Sequence, residues 1–230
     1  VIHGYPPVYG AGSEVYSQTL CHELARQGHE VRVFTREELS GQTDAAERDE
    51  SDEIVPAITI RRVNMANHKD RYIHPPLEAS FVRMVEDFRP DIVHFGHLNH
   101  LSMRLPSLAS AKGIPCIFTI HDFWMMCPRG QFIQMENSHE GTTWPLCSGQ
   151  ESGKCADRCY KRYCSGNNEN EPAELAFWKN WVDERMKSAE QATHCFDALI
   201  APSRQIMEKF AKDWPASRGK LHFIDYGFNL

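Results

Sequence analysis

The side chains with the clearest chemical potential are thiols. The chain of 230 residues carries eight cysteines, and five of them, Cys127, Cys147, Cys155, Cys159 and Cys164, fall in one stretch. Their spacing is Cys127-x19-Cys147-x7-Cys155-x3-Cys159-x4-Cys164. Zinc takes four thiolates in a tetrahedron, and close cysteines separated by a loop suit that demand. The expected ligands of one structural zinc are Cys127, Cys147, Cys155 and Cys159, with Cys164 as the substitute. Cys155 and Cys159 share one face if their segment is helical. The alternative is free thiols or one disulfide, because a three-residue gap is not the usual zinc spacing. An iron–sulfur cluster fits less well, since nothing else in the sequence points to redox work. Cys21, Cys116 and Cys195 lie in periodic elements and are read as packing residues.

Glycines and histidines form the second group. Residues 3–14 include Gly4, Gly10 and Gly12 and lie between an expected first strand and first helix. Glycine lets a backbone approach a ligand closely, and the free N–H groups of a helix start attract phosphate. Gly10, Ala11, Gly12 and Ser13 are therefore candidates for a phosphate loop. They lack the third glycine of the dinucleotide fingerprint, and a plain turn is the alternative. His121 and Asp122 follow an apolar run at 114–120, and His94 and His97 flank the end of another run at 91–95. Arg129 can grip a carboxylate or phosphate with two N–H groups, or form a surface pair. Lys154, Arg158, Lys161 and Arg162 accompany the cysteines; they either face an anionic acceptor or a lipid phosphate, or form a solvated face.

These residues need elements to hold them. Apolar spacing predicts helices over 14–27, 81–88, 105–111 and 171–196, with a further helix capped by Ser203. In the longest, Leu175, Trp178, Val182 and Met186 share one face. Strands are expected at 31–34, 54–63, 91–95, 114–120, 198–201 and 221–224. Residues 36–53 hold eight acidic side chains and little that is apolar, and read as a solvated loop. Strands alternating with helices imply an α/β fold, a doubly wound parallel sheet of Rossmann type. Ligands of such sheets gather at the carboxyl ends of the strands, where the loops after His3, Phe95 and Ile120 fall. The cysteine-rich segment, about 127–170, is a long insertion, and long ordered loops are usually functional.

Five stretches taken in order resemble family 4 glycosyltransferases. They are residues 5–16 with 24–31, then Pro90-Asp91-Ile92-Val93-His94, then Thr119-Ile120-His121-Asp122-Phe123-Trp124 continuing to Cys127-Pro128-Arg129-Gly130, then Ala201-Pro202-Ser203, then Asp225-Tyr226-Gly227-Phe228-Asn229. The resemblance implies one half of a two-domain enzyme of GT-B type, with retaining transfer from a nucleotide-sugar such as a UDP- or GDP-sugar. It implies that residues 1–230 are the acceptor-side domain, and that a C-terminal domain carrying most of the donor site and a pair of glutamates lies outside this chain. The chain is then expected to be inert alone. The resemblance puts His121 near the donor sugar, the alternative being a strand-end histidine satisfied by backbone; Asp122, next in the chain, is read as a base or, preferably, a loop-orienting group. His94 and His97, flanking the neighbouring strand end, are acceptor-side candidates with packing the preferred role, and Arg129 is a further acceptor-side candidate; some relatives carry a similar four-cysteine insertion.

Composition narrows the alternatives. A net charge of −6 argues against a non-specific nucleic-acid binder. No apolar run reaches the ~20 residues of a membrane helix. The opening Val1-Ile2-His3-Gly4 shows no leader and no initiator Met, which reads as the tail of a strand whose start is missing. Clustered cysteines without a leader suggest a reducing, cytoplasmic setting. Phe177, Trp178 and Trp181 are read as core, the alternative being peripheral contact with a membrane. The expected partners are a nucleotide-sugar and a glycan or lipid-linked acceptor, with no nucleic acid. Two rival readings stay open: a non-catalytic, metal-stabilised binding module, and a nucleotide-sugar epimerase of the same architecture.

Overall fold

A computed structural model describes residues 1–65, 72–134, 136–138, 141–165 and 172–227; for 136–138, 141–143 and 161–165 it describes the backbone alone. In chain order the elements are α1 (Gly12–Arg26), β1 (Arg32–Glu37), β2 (Glu47–Ser51), β3 (Thr59–Asn64), α2 (Pro75–Phe88), β4 (Val93–Phe95), α3 (Leu105–Ser110), β5 (Cys116–Thr119), β6 (Glu136–Ser138), β7 (Gly141–Thr143), α4 (Ser152–Cys155), α5 (Pro172–His194), β8 (Ala198–Ala201), α6 (Arg204–Asp213) and β9 (Leu221–Phe223). A wide helical run, Ala156–Ser165, continues α4, and a tight helical turn, Pro215–Lys220, precedes β9. The chain divides into two compact units, Val1–His121 with His194–Leu230, and Asp122–Thr193. The insertion is thus larger than the cysteine run and takes in nearly all of α5.

The first unit is built on parallel strands. β1 pairs with β3, and β4, β5, β8 and β9 pair in that order, all parallel; β2 alone runs antiparallel, along β3. The first two residues lie between the two groups. Val1 donates to the His94 carbonyl at 2.7 Å and accepts from the Gly96 N–H at 2.7 Å, while Ile2 donates to the Phe34 carbonyl at 3.1 Å. The spatial order is β2-β3-β1-(Val1–Ile2)-β4-β5-β8-β9. The direction of winding reverses between Val1–Ile2 and β4, and such a reversal opens a crevice at the carboxyl ends of the strands.

Both faces are covered, and the strand pleat shows why. Val33 and Phe34 are neighbours on β1 and point to opposite faces. Val33 joins Ile2, Tyr5, Ile58 and Ile60, with Cys21 and Ala25 of α1 packed against them. Phe34 meets Phe81 of α2 edge to face at 5.4 Å, and the contact continues through Phe95 and Phe196 to Phe118. Each of these buried rings contributes about 2–3 kcal/mol.

The acidic stretch differs from its reading as a solvated loop. β1 runs on to Glu37, and residues 47–51 form β2. The carboxylates find cations across the strands: Arg61 grips Asp49 with two bonds of 2.7 Å, and Arg62, fully buried, holds Glu50 at 2.5 Å. Arg62 also donates to the carbonyls of Tyr5 and Pro6. The α2 helix starts earlier than its apolar spacing suggests, because His74 caps it by accepting from the Leu77 N–H, with prolines next in the chain.

In the second unit, one face of α5 behaves as its spacing predicts. Trp178 and Val182 bury against Cys155, Ala156, Cys159 and Tyr160, with Leu175, Trp181 and Met186 packed on the same cluster. Trp178 is therefore core, whereas Phe177 is 60% exposed. Among the described residues no helix is long and apolar enough to cross a membrane.

Candidate functional site

The reversal point of the first unit is lined by histidines. His3 follows Ile2 and His97 follows β4 by one glycine; their rings meet at 4.4 Å. That glycine, Gly96, is required by space. A Cβ there would stand 2.8 Å from the Ser17 hydroxyl and 2.9 Å from Ile2, so only glycine lets α1 lie across this strand end. His3 Nε2 is 3.1 Å from the Glu14 carboxylate in the first turn of α1. Burial pushes the Glu14 carboxyl up, but His3, its own backbone and Ser13 outweigh this and hold it at about 2. Burial lowers the pKa of His3, with Glu14 opposing and His97 assisting. His3 Nδ1 is buried and has no partner among the described residues. His97 is itself 5% exposed, and its Nδ1 accepts from the Asn99 N–H at 3.0 Å.

His121 leads the neighbouring group, just past β5. Ile120 still bonds to β8 through the Ile200 carbonyl at 2.8 Å, which sets the sheet end against His121. Nδ1 of His121 is 2.6 Å from the Tyr226 hydroxyl, the two rings stack at 9°, and Tyr16 of α1 meets both at about 5 Å. His94 lies one strand over, with Nε2 2.7 Å from the Thr119 hydroxyl. Burial, then the Val1 amino group and His121, lower its pKa to about 4, so it is neutral near pH 7. That bond ties β4 to β5, which gives His94 a clear structural role.

The glycine loop sits at the start of α1. Ala11 precedes the helix without capping it through a side chain, and Gly10 and Gly12 are exposed, with open space where a Cβ would be. Among the described residues, therefore, no neighbour demands glycine at those two positions. The Ser13 hydroxyl is engaged with the Glu14 carboxylate at 2.9 Å. Glu14 places a negative charge in the first turn and offsets part of the helix's positive end.

Asp122, Arg129 and the cysteines belong to the second unit. Asp122 accepts from the Trp124 N–H at 2.7 Å, a loop-orienting bond. Arg129 reaches the Ile133 carbonyl and lies 5.0 Å over the Trp144 ring. Cys127, Cys147, Cys155 and Cys159 line one cavity of about 10 Å³ together with Arg129, Gln134 and Lys154. None of the four is in a disulfide, nor are Cys21, Cys116 and Cys195. Burial pushes the Cys155 thiol up to about 11; the Glu151 backbone opposes this, and Cys159, Cys127 and Cys147 assist. Among the described residues no three His, Cys, Asp or Glu side chains are placed to hold a metal as they stand. The side chains of Cys164, Lys161 and Arg162 lie outside the described residues. Lys154 is turned to the Gly149 carbonyl at 2.7 Å.

Four members of this arrangement escape a reading of the sequence: His3, Glu14, Tyr16 and Tyr226. His3 follows a strand as His121 does, and that parallel was the available signal. Tyr226 lies 105 positions from its partner, and no local pattern joins them.

A Rossmann-ordered sheet with a histidine-lined reversal point is the architecture of one half of a GT-B-type glycosyltransferase. Residues 10–230 match the family described as Glycosyltransferase Family 4, and the chain belongs to that family. No curated protein matches it. Among solved structures it is similar to alpha,alpha-trehalose 6-phosphate synthase from Burkholderia multivorans, at 12% identity and a TM-score of 0.40. That match covers 95% of this chain and 43% of the other, so the chain spans less than half the length of that protein. So distant a likeness carries no argument about activity.

Proposed function

We propose that this is the acceptor-side half of a retaining glycosyltransferase, which moves a sugar from a UDP- or GDP-sugar to a glycan or lipid-linked acceptor. Family membership and one observation carry the reading: His3, His97 and His121 stand at the carboxyl ends of parallel strands, beside and at the winding reversal. In this reading the donor's diphosphate approaches the N–H groups of Gly10, Ala11, Gly12 and Ser13, where uncrowded glycines admit it. Retaining transfer builds positive charge on the sugar while a diphosphate departs, so donors aimed at the leaving oxygens supply much of the rate. His121, fixed through Nδ1 by Tyr226, stands by the donor sugar in this reading. His97 faces the acceptor, with the unpartnered Nδ1 of His3 as a further contact, and His94 holds β4 and β5 in register beneath them. A cytoplasmic setting goes with the seven described cysteine side chains, none of which is in a disulfide.

The test is His121→Ala in the complete gene product, assayed with a panel of UDP- and GDP-sugars for acceptor-dependent nucleotide release. A group acting mainly in the transition state should lower kcat and kcat/KM together, by about 100-fold or more. Unchanged kinetics would return His121 to a structural role. Release of nucleotide without any acceptor-linked product would sink the transferase reading.

A further inference from the structure

We propose that the cavity lined by Cys127, Cys147, Cys155 and Cys159 binds one zinc ion through four thiolates, and that buried Arg185 is the counter-charge that positions this anionic centre. The argument begins with the backbone. Three of the cysteines are held by backbone bonds that do not involve their thiols. Cys127 donates to the Phe123 carbonyl at 2.7 Å and accepts from Gly130, whose φ of +78° needs glycine. Cys147 donates to the Phe132 carbonyl at 2.7 Å, beside the Ile133–Leu146 bridge. Cys155 donates to Glu151, and Cys159 follows one turn on along the same helical run. Two loops and a helix therefore bring four thiols to one cavity of about 10 Å³, room for a single small body and no substrate.

The chemistry of the lining selects the ion. Among the described residues the cavity's wall has no carboxylate, but it has four sulfurs, Arg129 and Lys154. Thiolates without carboxylates favour zinc over magnesium or calcium. Neutral thiols have no reason to converge to the ~3.8 Å sulfur–sulfur edge of a zinc tetrahedron, and Cys147 instead donates to the Gly149 carbonyl at 3.1 Å. Binding gives up that bond and rotates side chains whose backbones already stand around the cavity.

Arg185 is the independent observation. Its side chain is 1% exposed, and it cannot shed its proton. Its contacts are the Trp124 carbonyl at 2.5 Å, the Trp124 ring at 4.4 Å and the Met186 sulfur at 3.6 Å; among the described residues no carboxylate hydrogen-bonds it. Tyr160, Cys127, Cys155 and Asp122 lie within electrostatic range. A buried cation with no hydrogen-bonded anion is costly, and so is a buried dianion. Four thiolates on a divalent ion leave two negative charges, which Arg185 from within and Lys154 and Arg129 at the wall offset. The second unit is only about seventy residues long, a size at which a small core commonly needs a staple.

Protein purified without added metal should contain one zinc per chain by elemental analysis. The four thiols should resist alkylation until a mercurial releases the ion, and cobalt reconstitution should give the intense visible absorption of a tetrahedral tetrathiolate. Cys147→Ser, the least embedded ligand, should lose zinc while keeping its far-UV spectrum. Arg185→Met should release zinc to a chelator at least ~10-fold faster than Arg185→Lys, which keeps the charge, as expected where outer partners tune a metal site. Metal-free protein with these thiols open to alkylation, disulfides among them, or iron with inorganic sulfide would each overturn the zinc assignment. Equal release from both Arg185 variants would overturn the counter-charge.

Discussion

At the scale of single residues, hydrogen-bond partners separate the histidines by role. His121 is oriented by the Tyr226 hydroxyl, so Tyr226→Phe should leave the ring stacked but free to turn. A hydrogen bond of this kind is worth about 1 kcal/mol, and the expected loss is about fivefold to tenfold in kcat with little change in melting temperature. Steady-state kinetics on the complete gene product check it. His94 works differently, because its folded pKa is lowered from the ordinary 6.5 to about 4. The unfolded chain takes the proton first, so the contribution of His94 to stability is full above pH 6.5 and is lost as pH falls towards 4. About 2 kcal/mol should disappear between pH 7 and pH 5. Urea midpoints at the two pH values measure this, and His94→Gln should show the flatter dependence.

At the scale of elements, charge pairing and caps decide where strands and helices run. β2 exists because Arg61 and Arg62 on β3 meet its carboxylates in antiparallel register. Arg62→Ala would leave the Pro6 carbonyl without its donor, Glu50 with Arg48 and the Tyr5 carbonyl with Tyr9, and should cost about 1–3 kcal/mol, read from chemical denaturation. Ser203 accepts from the Ile206 N–H at 3.2 Å as the cap of α6, and Ser203→Ala should cost about 1 kcal/mol by the same measurement. The serine was visible in the sequence, since a capping residue before an apolar run is a local signal. β2 was not, since a strand of Glu, Arg, Asp, Glu and Ser carries no apolar alternation and becomes a strand only beside arginines 12 residues further on.

At the scale of the whole molecule, the chain is two compact units, and they should answer differently to loss of metal. Chelation should raise hydrogen exchange across 122–165 and leave β1, β4 and β5 protected; uniform exchange in both units would contradict a staple confined to the second. The sequence by itself determined the α/β class, most of the helices and parallel strands, the apolar face of α5 and the placing of His121 at a strand end. Those features rest on periodicity and caps, which act over a few residues. It also marked the four cysteines, because spacing shows chemical type. Only the tertiary structure decided that Val1–Ile2 sits at the winding reversal, that His3 meets His97 and Glu14, that Tyr226 holds His121, and that Arg185 stands buried near Cys127 and Cys155. Each of those contacts joins residues far apart in the chain. They follow from strand order and packing, which no window of neighbouring residues contains.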